Sequence, residues 1–345
     1  MEMNFATNTY TPYRTAWLEL HSEEILEPDL PIIDPHHHLW DAPRQPYLLP
    51  ELAEDVASGH SVKGTVFVEC RSWYRNEGPS PFRPVGEVEF VAALAERERE
   101  RAPNGVAYCN KIVGHADLTL GDDVEAVLDG MLHAGGGRLA GIRHSSASDG
   151  DAMVIAPSLS KPRHLLLQEP FLRGFRQLVA RGLSFDAFMY HHQIPDLSAL
   201  ARAFPDASIV LDHLGSPIGI GSYMGRRSEI FLEWTSAMTE LAQCPRVSVK
   251  LGGLGMQLAG FDFHRRPLPP TSVELAIAWK PYIETCIDIF GVDRCMFESN
   301  FPPDKGTCSY GVLWNSFKRL TTGYSANEKV RLYHDNAARV YGIGL

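Results

Sequence analysis

The sequence predicts a single (β/α)8 TIM barrel with long βα loops over its C-terminal face, and three observations predict it. Eight short runs rich in β-branched and apolar residues recur along the chain. Longer segments of helical period lie between them, which is the pattern of repeated βα units around a parallel sheet. Histidines recur at the ends of several runs, at the side of this fold where active sites are assembled.

Taken in order, residues 1–30 read as an N-terminal arm and residues 31–345 as the barrel domain. The strand candidates are PIID (31–34), GTVFVEC (64–70), VAYCNKIVGHA (106–116), LAGIRH (139–144), LSFDAFMY (183–190), ASIVLDH (207–213), RVSVKL (246–251) and RCMFES (294–299). Val124, Val127, Leu128, Met131 and Leu132 repeat at helical spacing, as do Ile230, Trp234, Met238 and Leu241, so both sets predict the packing faces of outer helices. Ser325 and Glu328 form a capping-box pattern that opens a last helix through Val330, Val340 and Tyr341. The connections 145–169, 214–228 and 252–272 are long and rich in Gly, Pro and Ser, and loops of that length inside a compact domain are usually functional.

Composition narrows the function classes. With 345 residues, 44% hydrophobic and 21% charged, the chain reads as a soluble globular protein with a large core. A net charge of −10 argues against nucleic acid or an anionic membrane as partner, and leaves a small molecule as the expected one. Six scattered cysteines without a C-x-x-C pair predict neither a zinc ribbon nor a disulfide scaffold, which fits a reduced cytoplasmic setting. No apolar run approaches the ~20 residues of a membrane span. A homo-oligomer is compatible with all of this.

The chemistry centres on Asp34-Pro35-His36-His37-His38. Side chains alternate along a strand, so His36 and His38 share one side and His37 faces the other. Paired imidazoles bind zinc and similar ions well, and an open coordination position would activate a water. The alternative is a polar strand end whose histidines only hydrogen-bond. His144, His191, His192 and His213 fall at the matching ends of later strands.

The string IIDPHHHLWD resembles the I-D-x-H-x-H-x-W-D opening of the amidohydrolase superfamily, in the branch related to 2-pyrone-4,6-dicarboxylate lactonase and L-fuconolactonase. LAGIRH, SFDAFMYHHQIPDLSALARAFPDASIVLDHLGSP, VSVKLGGLG, RCMFESNFP and NAARVYGI extend the resemblance over about residues 31–343. It implies that His36, His38 and His213 touch the metal, with His192 as the strand-five histidine in preference to His191. The implied cofactor is a divalent metal, zinc first, with manganese or a metal-free site as alternatives.

Strand eight departs from the family's F-G-S-D-W-P, because Asn300 stands where the aspartate would be and Glu298 replaces the glycine. An asparagine offers an oxygen but cannot accept a proton as a carboxylate does. Glu298 is therefore the expected substitute, as ligand or general base, with His213 and Asn300 completing the catalytic set. The competing reading pairs Glu298 with Lys250 or an arginine, and Glu69 is a second carboxylate candidate.

Arg71 and Arg143 at strand ends suit a carboxylated substrate. His144, Trp73 and Tyr190 are expected beside them, the two aromatic residues as walls of a ring-sized site. The resemblance implies a lactonase, a hydrolase opening a cyclic carboxylic ester. The alternatives are a non-oxidative decarboxylase of an aromatic or muconate-type acid on the same fold, and a catalytically silent binding homologue.

Overall fold

The computed structural model describes residues 11–42, 45–101 and 105–344; the first ten residues of the expected arm lie outside that range. Each expected run overlaps a strand, the first strand running on past its run and the second beginning before its own: β1 (Pro31–His37), β2 (Ser61–Val68), β3 (Ala107–Gly114), β4 (Leu139–Arg143), β5 (Ser184–Ala187), β6 (Ile209–Leu211), β7 (Val247–Leu251) and β8 (Cys295–Phe297). They form one sheet in sequence order, every neighbouring pair parallel. Residues just past β8 bring the sheet round to β1, where His38 N donates to Phe301 O (2.8 Å) and Asn300 N to His36 O (2.9 Å). The result is a nearly closed (β/α)8 barrel.

Helices α1 (Leu49–Val56), α2 (Val85–Arg101), α3 (Val124–Gly135), α4 (Glu169–Ala180), α5 (Ile194–Ala203), α6 (Arg227–Leu241), α7 (Ser272–Phe290) and α8 (Tyr310–Leu320) follow the strands in turn. The apolar stripes predicted for α3 and α6 face the sheet. Ile230, Trp234, Met238 and Leu241 are at most 1% exposed, each worth roughly 1.5–3 kcal/mol relative to exposure. Ser325 and Glu328 make the expected capping box at α9 (Ala326–Val330), which continues through a π-helical turn into α10 (Asn336–Tyr341).

The barrel interior has an apolar floor and a charged middle. Ile33, Val66, Val68, Val113, Val210 and Met296 form the floor, sealed from below by Ala337, Tyr341 and Ile343. Above the charged layer, the long loops build a core of their own from Ala147, Val154, Ile155, Tyr190, Ile218, Met256 and Leu258. Tyr223 Oη donates to Asp149 Oδ2 (2.7 Å) and Ser222 N to Asp151 Oδ2 (2.7 Å), which ties the connection after β6 to the one after β4. The predicted roof is thus an ordered layer over the C-terminal end. Among the described residues, no helix is long and apolar enough to cross a membrane.

Candidate active site

A register shift in β1 between Asp34 and His37 positions the first histidines. Ile33 packs on the inner floor and Ile32 in the outer shell, so strict alternation would turn His36 outward. The shift reverses the parity. Asp34 points outward to Ser299 N (2.9 Å) and Tyr310 Oη (3.0 Å), while His36 and His38 both enter the barrel. His37 faces the other way, bonded to Thr65 Oγ1 (2.9 Å).

Hydrogen bonds fix one of these rings. His38 Nδ1 lies 2.8 Å from Val68 O; a carbonyl only accepts, so the ring proton sits on Nδ1 and Nε2 carries a lone pair. That lone pair faces His36 Nε2 at 3.3 Å. Two nitrogens on zinc at ~2.0–2.1 Å in tetrahedral geometry lie about 3.3 Å apart. The pair therefore has the spacing of one edge of a zinc site.

His213 follows β6 in a left-handed turn (φ 54°) that swings its ring to within 4.6 Å of His36, centroid to centroid. Its Nδ1 is 2.7 Å from Glu298 Oε1, and Glu298 Oε2 is 2.9 Å from His36 Nδ1. The glycines of the turn after β7 make room for this. A Cβ on Gly252 would stand 2.3 Å from Glu298 Cγ, and one on Gly253 (φ +72°) 2.6 Å from the His213 ring. Among the described residues, His36, His213 and Glu298 can bring their donor atoms within 4.8 Å of one another, a group able to hold a metal ion.

Beneath the histidines runs a buried ion network. Lys250 Nζ bonds Asp186 Oδ2 (2.7 Å) and reaches Asp212 Oδ1 (3.0 Å) and His36 Nδ1 (3.2 Å). Arg143 binds Glu69 through Nε (2.8 Å to Oε1) and Nη2 (2.6 Å to the backbone O), and its Nη1 lies 3.3 Å from His36 Nε2. Two cations thus stand among four carboxylates, Glu69, Asp186, Asp212 and Glu298, leaving two negative charges uncompensated when the imidazoles are neutral. Asp212 Oδ1 and Glu298 Oε2 are buried without an aligned hydrogen-bond donor. A divalent cation fits both the charge deficit and the imidazole donor set.

Burial and then Lys250 push the His36 pKa well below its ordinary value; burial and then Arg143 push His38 down to about 3. Both rings are neutral, as ligands must be. Burial also opposes charge on His213, but Glu298 outweighs it and raises that pKa. Glu298 is held low by His213 and His36 against its own burial, and so is ionised.

Other expected site residues lie elsewhere. β5 ends at Ala187, so His191 and His192 fall in the turn beyond it, pinned by the Gln193 amide on Ser146 O and Ser148 N. The exposed His192 bonds Ser148 O (3.0 Å) and stacks on Tyr223, apart from the His36 cluster. His191 is buried there too. Trp73 stacks on Phe90 of α2 at 3.9 Å, and Tyr190 is wholly buried in the roof core, so neither stands as an open wall. His144 is buried at the end of β4, accepting from Leu118 N (3.2 Å), and Arg71 is exposed at the mouth with φ +64°.

Asn300 does not stand alone. Its Nδ2 donates to Asp304 Oδ1 (3.0 Å), and Asp304 Oδ2 accepts from Gly255 N (3.1 Å). Burial raises the Asp304 carboxyl to about 7, a value suited to moving protons at neutral pH. Sequence reasoning missed Asp304, Asp186 and Asp212. The signal for the last two was an acidic residue inside the apolar runs SFDAF and IVLDH.

Comparison with known proteins identifies the family. The family described as amidohydrolase matches residues 33–343. The chain belongs to the amidohydrolase family. An uncharacterised Sinorhizobium fredii protein, y4mH, is 34% identical over 331 residues, 91% of this amidohydrolase and 99% of the relative. An L-fucono-1,5-lactonase of Burkholderia multivorans is 26% identical over 329 residues, covering 90% and 96%. A solved amidohydrolase from Burkholderia multivorans with bound zinc shares the fold at a TM-score of 0.67 and 24% identity, over 91% of this chain and 99% of that one.

Proposed function

We propose that this amidohydrolase is a metal-dependent hydrolase that opens a cyclic ester of a small, carboxylated substrate. The observation that carries the reading is the convergence of His36 and His38 Nε2 at 3.3 Å, with His213 beside them. These three imidazoles would hold the ion, with zinc favoured by the donor set. A zinc ion supplies Lewis-acid polarisation of an ester carbonyl and acidification of a water.

The chain's own residues do the rest. Asn300 stands at the end of β8 as a hydrogen-bonding group for the attacking water, and the adjacent Asp304 takes the proton. Glu298, the base expected from the sequence, is held ionised by His213 and His36, so the proton is assigned instead to Asp304, whose carboxyl burial raises to about 7.

Arg71 and Lys161 bind the substrate carboxylate at the rim. Lys161 sits in the loop after β4, half-buried, and its pKa is lowered first by burial and then by the charge of Arg71. Two cations that repel each other are stabilised by an anion bound to both. The lactonase similarity of the Burkholderia relative supports the ester assignment.

The test is turnover of a panel of carboxylated lactones alongside aromatic and muconate-type acids, before and after chelation and zinc return. Lactone opening that chelation abolishes and zinc restores is expected. Carbon dioxide release without lactone opening would overturn it in favour of a decarboxylase, and binding without turnover of either class in favour of a silent homologue.

A further inference from the structure

Glu298 is a carboxylate where no water can reach, spent on two imidazoles at once. Its Oε1 lies 2.7 Å from His213 Nδ1 and its Oε2 2.9 Å from His36 Nδ1. We propose that Glu298 is a positioning residue that holds the ring protons of His36 and His213 on Nδ1 and so leaves both Nε2 atoms as lone-pair donors. This rests on the reading that those Nε2 atoms hold a metal ion.

For His213 the inference is direct. An ionised carboxylate only accepts, so a ring nitrogen 2.7 Å from it carries the proton. For His36 two arrangements compete. With the proton on Nε2, Lys250 would donate to Nδ1 at 3.2 Å and Nε2–H would point at His38. That leaves a bare Nδ1 2.9 Å from a carboxylate oxygen, and sets Arg143 Nη1, itself a donor, 3.3 Å from an N–H. With the proton on Nδ1, the N–H faces the negative side of Glu298 and Asp212 at 2.9 and 3.5 Å, and Arg143 Nη1 finds an acceptor in Nε2 at 3.3 Å. Lys250 loses nothing it needs, since Asp186 and Asp212 already take its ammonium. Asp212 Oδ1 lies 3.5 Å from the same Nδ1, and an N–H shared between the two carboxylates accounts for neither oxygen having a well-aligned donor.

The surroundings fix Glu298 in this pose. Gly252 packs so closely that any Cβ there would overlap Glu298 Cγ, and His213 N lies 3.3 Å from Glu298 Oε1 as a further donor. A carboxylate behind a metal-binding histidine is a known way to fix its tautomer, and losing one commonly weakens metal binding 10–100-fold. Here one carboxylate serves two rings.

The tautomers are readable in the metal-free protein by long-range nitrogen–proton NMR of the histidine side chains. Wild-type protein is expected to show His36 and His213 protonated at Nδ1. In Glu298→Gln the amide NH2 must face one of the two Nδ1–H groups, so at least one ring is expected to move its proton to Nε2. Zinc affinity, measured by chelator competition, should fall about 10–100-fold, with partial recovery in Glu298→Asp. A wild-type spectrum with the His36 proton on Nε2 overturns the proposal even if no variant folds. So does a folded Glu298→Gln with unchanged tautomers and zinc affinity within two-fold of wild type. Nδ1 protonation in a wild-type protein that takes up no zinc would uphold Glu298's role and sink the metal reading alone.

Discussion

Asn300 and Asp304 form a single polar unit at the end of β8, the asparagine amide donating to the aspartate over 3.0 Å. A carboxylate is thus kept near the place where the strand-eight residue is an amide, four residues further along the chain. Asp304→Asn is expected to lower kcat by about 100-fold or more, within the range spanned by general-base catalysis. Asn300→Ala should cost less. Equal kcat in Asp304→Asn and wild type on a true substrate would remove Asp304 from the mechanism.

Asp304 also makes stability depend on pH. Its folded-state pKa, about 7, lies above the ordinary 3.8, so the native state keeps a proton that the unfolded chain has released. Stability from this group is full below about pH 4 and is lost as pH rises to 7. Asp304→Asn should flatten the fall in unfolding free energy over that window, by an amount of order 1–4 kcal/mol. Denaturant titrations at pH 4.5 and 7.5 read it, and an unchanged difference would contradict the raised pKa.

Lys250 bridges Asp186 and Asp212 where no water reaches, all three side chains being fully buried. Lys250→Met leaves two carboxylates facing each other, and breaking a buried pair in this way costs about 3–5 kcal/mol. A loss under 1 kcal/mol in urea unfolding would show that the network relaxes.

Gly253 tests the packing behind His213. Gly253→Ala adds a Cβ 2.6 Å from the imidazole at a backbone φ of +72°. We expect about 1–3 kcal/mol of destabilisation and a loss of zinc affinity, because the ring must move. Retained affinity at wild-type stability would mean that the turn gives way instead.

Lys161→Ala is predicted to raise KM about ten-fold for a carboxylated lactone while leaving kcat within two-fold, the signature of lost ground-state binding. Esters lacking the carboxylate should show no such change. A kcat effect equal to the KM effect would place Lys161 in the chemistry.

The architecture was legible because barrel strands are apolar and evenly spaced, and because the faces of α3 and α6 repeat at helical period. His36, His38 and His213 were legible for the same reason, sitting at the ends of runs that locate the barrel mouth. What escaped depended on local departures from regularity. The shift in β1 that sends Asp34 outward and His36 inward leaves no mark on residue type. β5 stops at Ala187, short of Tyr190, which carries His192 out of the site. From sequence alone Glu298 fits either a place beside the histidines or an ion pair with Lys250 or an arginine. The structure gives it His36 and His213, while Lys250 goes to Asp186 and Asp212, because three-dimensional proximity across strands five to eight is not encoded at any one position. Asp304 was passed over because it follows two prolines in what reads as an ordinary loop.

The floor of the barrel links its two ends in a way that bears on how the protein is made. Tyr341 Oη bonds Asp186 Oδ2 at 2.6 Å, and Ile343 packs in the cluster that contains Ile33. Asp186 in turn holds Lys250, which lies against His36. A nascent chain shorter than about residue 343 therefore has a charged layer open from below, and the histidines at the mouth gain their final surroundings only after the residues beneath the floor have docked. Tags or truncations at that end should act at a distance on the histidine cluster, through the floor rather than through the roof.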